Sequence, residues 1–477
     1  LKVANSTGQA YAEQSPVLII SGAPGILESQ THAMIHHKVR SFDSQLKVFQ
    51  ELTCAQAMID NPVTACQQID AVIAQILLHK RPGYIELPRD LEAVEVEVPD
   101  HSLPNSYMPH TLPTLPENLA ASIREVEQML QTAKRPIIAL GIQLVRHGLL
   151  DKVVQFAQTL NIPLVTTLLS KSAIDETHPQ FMGVFAGRMS REEISSYVES
   201  SDCLLVLGAH ISDMDTGVYS AQVDQTKVVH ATDDSLRISR HIYEKVGFKD
   251  FIQAVTDLKP ETTFESNYPR IATLPGASAG ADTDKLTVST LFARLAPEIT
   301  TKTVVIADPG DALFGAIDLP IKDGKDFVAC GYYASLGFAV PAAIGVAAAD
   351  NTLRPIVLVG DGAFQMTGME LSVAVRYGYD PIVIVLNNDG YLTERLILEG
   401  EFNDITPWRF AKLPEVLGSG HGEVVQTNGE FTQALSEAIA RRGQFSLIEA
   451  KLDRMDCSDA LRRLGAAMHK LVASDGS

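Results

Sequence analysis

Unbroken apolar runs, rather than alternating ones, mark the strongest strand signals in this chain. Residues 355–359 (Pro-Ile-Val-Leu-Val) and 381–386 (Pro-Ile-Val-Ile-Val-Leu) contain no polar side chain, which suits parallel strands buried on both faces. Each run empties into a glycine-bearing turn, Gly360-Asp361-Gly362 and Asn387-Asn388-Asp389-Gly390. Residues 363–377, between the two, have helical character. Similar apolar runs predict buried strands at 16–20, 83–87, 136–140, 163–167, 203–208, 228–230 and 304–307, with helices over 70–79 and 149–160 and a helix-like segment from Val3 to Glu13. This alternation predicts the α/β class, with doubly wound and mainly parallel sheets.

Two stretches interrupt the alternation. Residues 100–116 are polar and proline-rich, and a second irregular stretch covers 260–282; both read as linkers. They divide the chain into three α/β domains, 1–99, 117–259 and 283–470, in keeping with its 477 residues.

The two glycine turns carry the most specific chemistry. Both follow buried strands, so Asp361 and Asn388, 27 positions apart, reach the carboxyl edge of one sheet, where open α/β sheets bind ligands. The Asp361 carboxylate, the Asn388 side-chain oxygen and the Gly390 carbonyl are hard oxygen donors, the kind magnesium takes together with diphosphate oxygens and water. Gly360 and Gly362 let backbone amides approach a phosphate. Either turn alone reads as an ordinary turn. The pair, each after a buried strand, points to a metal–diphosphate site.

On these residues the chain resembles the thiamine-diphosphate-dependent 2-oxo acid decarboxylases, the family of pyruvate, indolepyruvate and phenylpyruvate decarboxylases. The stretches from Val359 to Glu370 and from Asn387 to Glu394 carry the resemblance, which extends over nearly the whole chain. Phe364-Gln365-Met366-Thr367-Gly368 is most similar to the phenylpyruvate and indolepyruvate branch. The resemblance implies a pyrimidine-binding domain (1–99), a Rossmann-like middle domain (117–259) and a diphosphate- and Mg2+-binding domain (283–470). It further implies that thiamine diphosphate is bound through Asp311, Ala334, Leu336, Gly360, Asp361, Gly362, Ala363, Asn388, Gly390 and Tyr391. In that family a bulky aliphatic residue at the Leu336 position wedges between the cofactor rings, and the Ala334 carbonyl accepts from the exocyclic amine. Pro309 stands where the family usually has threonine, removing a hydroxyl and a backbone donor.

The implied catalytic residues are Glu394, expected in a dry pocket where a carboxyl stays protonated, and the pair His36 and His37. The implied reaction is decarboxylation of a 2-oxo acid to an aldehyde and carbon dioxide. Leu313, Leu392 and Thr393 are the expected substrate-pocket residues; Leu313 and Thr393 stand where pyruvate enzymes carry larger side chains, which favours aromatic or bulky branched substrates. A carboligase, a cofactor-binding homologue without catalysis and a flavin-dependent oxidase are the competing classes. The chain opens at Leu1, directly before a segment that the family places well inside its first domain. The expectation is that the N-terminal part of that domain, with the glutamate that acts on the aminopyrimidine ring, is missing. Active sites formed between subunits imply a homodimer or homotetramer.

Composition narrows the partners. A net charge of −19 disfavours nucleic acid and anionic membrane surfaces. No apolar run reaches a membrane span and no signal pattern opens the chain, so a cytoplasmic protein acting on a small molecule is expected. The five cysteines are scattered, without the paired spacing of a zinc site or a disulfide framework.

Overall fold

The computed structural model describes all residues except 32–33, 37, 99–112, 260–262, 265–266, 274–275, 322–326 and 467–477. His37 and most of the first expected linker therefore lie outside the described residues. The chain forms two compact units, one of Leu1–Leu115 with Lys245–Gly247 and one of Pro116–Glu244 with Phe248–Ser477.

The first unit carries a three-stranded parallel sheet of β1 (Leu18–Ala23), β2 (Ala55–Met58) and β3 (Gly83–Pro88) in the order β1-β3-β2. The helix Ala65–His79 packs Val72 and Ile76 against it. The expectation of a fully buried strand at 16–20 is corrected here. The strand is shifted to Leu18–Ala23 and alternates in burial, with Ile20 64% exposed: among the described residues β1 is an edge strand, and the face that carries Leu18 and Ile20 is left uncovered.

The second unit holds two sheets. The first comprises β4 (Pro136–Leu140), β5 (Leu164–Thr166), β6 (Phe181–Val184), β7 (Cys203–Leu207), β8 (Val228–Ala231), β9 (Leu236–Ile238) and β10 (His241–Ile242). Its order is β10-β9-β8-β7-β4-β5-β6, parallel apart from β9 and β10. The second sheet is wholly parallel, with β11 (Thr303–Ala307), β12 (Phe327–Ala329), β13 (Arg354–Gly360), β14 (Ile382–Asn387), β15 (His421–Val425) and β16 (Ser446–Lys451) in the order β12-β11-β13-β14-β16-β15. β13 and β14 are buried almost throughout, as their unbroken apolar runs require. The α/β class read from the sequence holds. Among the described residues, no helix is long and apolar enough to cross a membrane.

The helix expected over 363–377 begins earlier and breaks. It runs Asp361–Thr367, passes through a single 3-10 turn at Gly368–Glu370 and resumes as Leu371–Tyr377. Thr367 leaves helical backbone at φ −138° and donates its hydroxyl to the Gly337 carbonyl at 2.8 Å. Gly368 then packs on Phe364 so closely that a Cβ would fall 2.3 Å from the ring.

One buried ion pair fastens the part of the unit that holds β5 to the segment after β11. Lys171 Nζ lies 2.8 Å from both Glu176 oxygens and donates to the Leu319 carbonyl at 2.8 Å. Glu176 in turn accepts from the Ser172 and Ile321 amides at 3.2 and 2.9 Å. Both side chains are buried, so neither charge can turn to water. Removing one partner strands the other in a low-dielectric site, which costs about 3–5 kcal/mol. Lys171→Met is therefore expected to lower the urea midpoint by that equivalent, and Glu176→Gln, which leaves the Lys171 charge unpaired and keeps an oxygen for one of the two amides, by a similar amount; unchanged midpoints in both would show that the pair does not hold the unit together.

Candidate cofactor site

Parallel strands diverge at their carboxyl ends, and the widest opening lies where the chain reverses its winding direction. In the six-stranded sheet that point falls beside β11 and β13, since the chain steps from β11 to β12 on one side and then to β13 on the other. A cavity of about 270 Å3 occupies this edge, lined by the residues that follow β11, β13 and β14.

Asp361 begins the helix after β13 and is almost wholly buried. Its carboxylate accepts from its neighbour Gly362 N at 2.7 Å and from Gly390 N, beyond β14, at 3.1 Å. One side chain thus joins two strand-end turns. Burial pushes its carboxyl up to about 6 in spite of these bonds. Asn388 is buried and lines the same cavity. Asp389 follows with φ +60° and Gly390 with φ +148°, and a Cβ on Gly390 would fall 2.2 Å from the Asn403 carbonyl. Only glycine fits there.

The other side of the cavity is held by a second buried carboxylate. Asp308, at the end of β11, accepts from Gly337 N at 3.0 Å and Ala339 N at 2.8 Å, and burial raises it to about 6. These bonds pin the loop that presents Ala334 and Leu336 to the cavity. Ala334 lies at φ +55° and Gly337 at φ +84°. Asp311 accepts from the Ser458 amide at 2.8 Å and from its hydroxyl, and burial raises it too to about 6.

The cavity gathers Asp311, Ala334, Leu336, Gly360, Asp361, Gly362, Ala363, Asn388, Gly390 and Tyr391, together with Leu392, Thr393 and Glu394. Leu313 is different. It is fully buried in the hydrophobic core, and its helix neighbours Ala312 and Phe314 face the cavity instead. A helix starting at Asp311 turns position 313 toward the sheet, so the expectation that Leu313 widens the pocket gives way to Ala312 and Phe314. Glu394 is exposed in this chain, so the dry surroundings expected for it are not built by its own neighbours. His36 belongs to the other unit, where it is exposed and lines a cavity of about 550 Å3 with Gly22, Lys38 and Glu86. Sequence reading missed Met214 and Leu452 as lining residues, because each comes from an element far away along the chain.

The donor set tests well against a metal-bound diphosphate. One carboxylate, one side-chain amide and one backbone carbonyl lie on adjoining turns, and a Cβ at Gly360 would meet nothing within 4 Å, so this backbone borders open space. At Gly310 the nearest atom to such a Cβ is Thr393 Oγ1 at 3.8 Å. The residues present suit the group.

The sequence is similar to known proteins along most of its length. Residues 123–258 match the central domain of thiamine pyrophosphate enzymes, and residues 310–450 match their C-terminal TPP-binding domain. The indole-3-pyruvate decarboxylase of Azospirillum brasilense is 35% identical over 473 residues, 98% of this chain and 85% of the relative. An alpha-keto-acid decarboxylase of Mycobacterium leprae (strain TN) is 31% identical over 477 residues, covering 97% of this chain and 82% of its own length. One of Mycobacterium bovis (strain BCG / Pasteur 1173P2) is 32% identical over 480 residues, with 98% and 84% covered. Likeness of this extent, running through both matched domains, settles the family: the chain belongs to the thiamine pyrophosphate enzymes, among the 2-oxo acid decarboxylases.

Proposed function

We propose that this protein removes carbon dioxide without oxidation from an aromatic or bulky branched 2-oxo acid, releasing an aldehyde, with Mg2+ anchoring the thiamine diphosphate. The observation that carries this reading is the single cavity in which Asp361, Asn388 and Gly390 meet Leu336, Thr393 and Glu394. Asp361, the Asn388 side chain and the Gly390 carbonyl would hold the metal and, through it, the diphosphate. Bound thiamine diphosphate supplies the electron sink that lets carbon dioxide depart. Leu336 and the Ala334 carbonyl orient the ring system, and Asp308 keeps their loop in place.

Glu394 is the proton-handling group at the reacting end, and His36 and His37 are the proposed proton relays. Exposed apolar side chains on and after its helix, Ile397 at 75% and Phe402 at 68%, support a homodimer or homotetramer in which a second copy covers this face. Such a cover would supply the dry surroundings that Glu394 lacks. The preference for a large substrate rests on the short side chain of Thr393 at the cavity and on the likeness to an indole-3-pyruvate decarboxylase.

Assayed with thiamine diphosphate and Mg2+, the protein is expected to release carbon dioxide from phenylpyruvate or indolepyruvate with a kcat/KM at least about tenfold above that for pyruvate, a difference of 1.4 kcal/mol in transition-state binding. Equal turnover of the three acids would remove the substrate proposal and leave the decarboxylase reading intact. Glu394→Gln should lower kcat by about 10^2–10^4-fold with little change in cofactor affinity. A full-rate variant would take the proton role from Glu394.

Asp361 gives a pH prediction with a defined sign. Its carboxyl is raised from an ordinary 3.8 to about 6, so the folded apoprotein holds a proton there that the unfolded chain has released. That contribution to stability is present below about 4 and is lost as pH rises through about 6. Metal competes with the same proton, so Mg2+-dependent cofactor affinity should strengthen as pH rises from about 5 to about 7. Titration calorimetry at the two ends measures it, and a flat profile would exclude Asp361 as a ligand.

A further inference from the structure

Arg395 follows Glu394 on the short helix Leu392–Ile397, yet its guanidinium has no exposure at all. Almost every donor it has goes to one neighbourhood. Nη1 donates to the Asn388 carbonyl at 3.0 Å and to the Arg454 carbonyl at 3.1 Å. Nη2 donates to the Asp389 carbonyl at 2.6 Å and to Asp404 Oδ1 at 3.0 Å. Nε is buried without a hydrogen-bond partner among the described residues.

This buried cation pairs with Asp404, which is 39% exposed and also takes Arg454 at 2.6 Å. The hydrogen bond from Arg395 holds the Asp404 carboxyl below the usual carboxylate range. Backbone bonds run in parallel with the side chains. Tyr391 N donates to the Asn403 carbonyl at 2.9 Å, and Gly390 and Asp404 form an isolated antiparallel bridge. The segment Glu401–Asn403 with Asp404 is thereby strapped to the turn that carries Asn388 and Gly390.

We infer that Arg395, anchored by Asp404, is a positioning residue for the metal–diphosphate turn. The turn needs a device of this kind because Asp389 is held in left-handed backbone at φ +60°, a conformation that costs a non-glycine residue. A planar fork that donates to two successive carbonyls fixes the peptide planes on either side of Asp389. The Asn388 side chain and the Gly390 carbonyl are then set before any ligand arrives. Lysine has neither the planarity nor the number of directed donors for this arrangement.

The inference rests on the proposed role of Asn388 and Gly390 as magnesium ligands. Its test compares wild type, Arg395→Lys and Asp404→Asn by calorimetric titration with thiamine diphosphate at several Mg2+ concentrations, beside urea midpoints. Lys171→Met serves as a destabilised control whose lesion lies outside the turn. Both turn variants are expected to bind cofactor about 10–100-fold more weakly and to need more Mg2+ for half-saturation, the usual effect of removing a ligand's supporting hydrogen bonds. The control should lose stability and keep its affinity. Should Arg395→Lys fail to fold, the half-exposed Asp404→Asn carries the test alone. Affinities within about twofold of wild type, or weakening matched by Lys171→Met, would overturn the positioning role. Wild type that binds thiamine diphosphate equally with and without Mg2+ would instead overturn the metal reading and this inference with it.

Discussion

A single buried carboxylate closes the gap that a parallel sheet leaves open. Where β13 and β14 end, their turns have no ladder partners left, and Asp361 takes an amide from each turn. The geometry of the candidate site follows from that bridge, because Gly362, Asn388 and Gly390 lie within two residues of its ends. An apolar residue at 361 would leave two amides unsatisfied in a buried place and free the turns from each other. A lysine would add a charge with no acceptor. The requirement for a short acid arises from the fold before any ligand is considered.

The same device recurs at the neighbouring strand. Asp308 receives two amides of the loop that carries Ala334 and Leu336, and Asp311 receives the amide and hydroxyl of Ser458. All three carboxyls are pushed to about 6 by burial. Backbone donors lower each of them and desolvation outweighs the donors. A site built this way carries stored cost, seen also in the left-handed backbone of Ala334 and Asp389. Three buried acids and left-handed backbone at two of the loops around one cavity mark a place where conformation is held at a cost.

How much of this was legible depends on the range of each determinant. The strands β13 and β14, the glycine turns and the Asp361–Asn388 frame are local features, written in consecutive residues, and they were readable directly. Longer-range features were not. The exposure of Ile20 follows from an uncovered face of an edge strand, which the run 16–20 cannot express. The inward turn of Leu313 follows from where its helix starts, and the break after Thr367 from a hydroxyl reaching Gly337 thirty residues back along the chain. Arg395 resembled any charged residue on a short helix. Its carbonyl partners become visible once the turn at 388–390 and the strap through 404 are in place.

The division between binding and chemistry is the remaining physical point. The anchor half of the cavity is finished within this chain: its acids are buried and its turns are pinned. The reacting half is open, since Glu394 is exposed and the apolar side chains beyond it face outward. Coulombic effects fall with dielectric constant, so a group that handles protons gains from being closed off from water. An anchor must be rigid to select a charged diphosphate, whereas a proton donor must be dry to keep its proton. On the proposed roles, the chain would build the first condition into its own core and leave the second to a second copy covering the exposed 394–402 face.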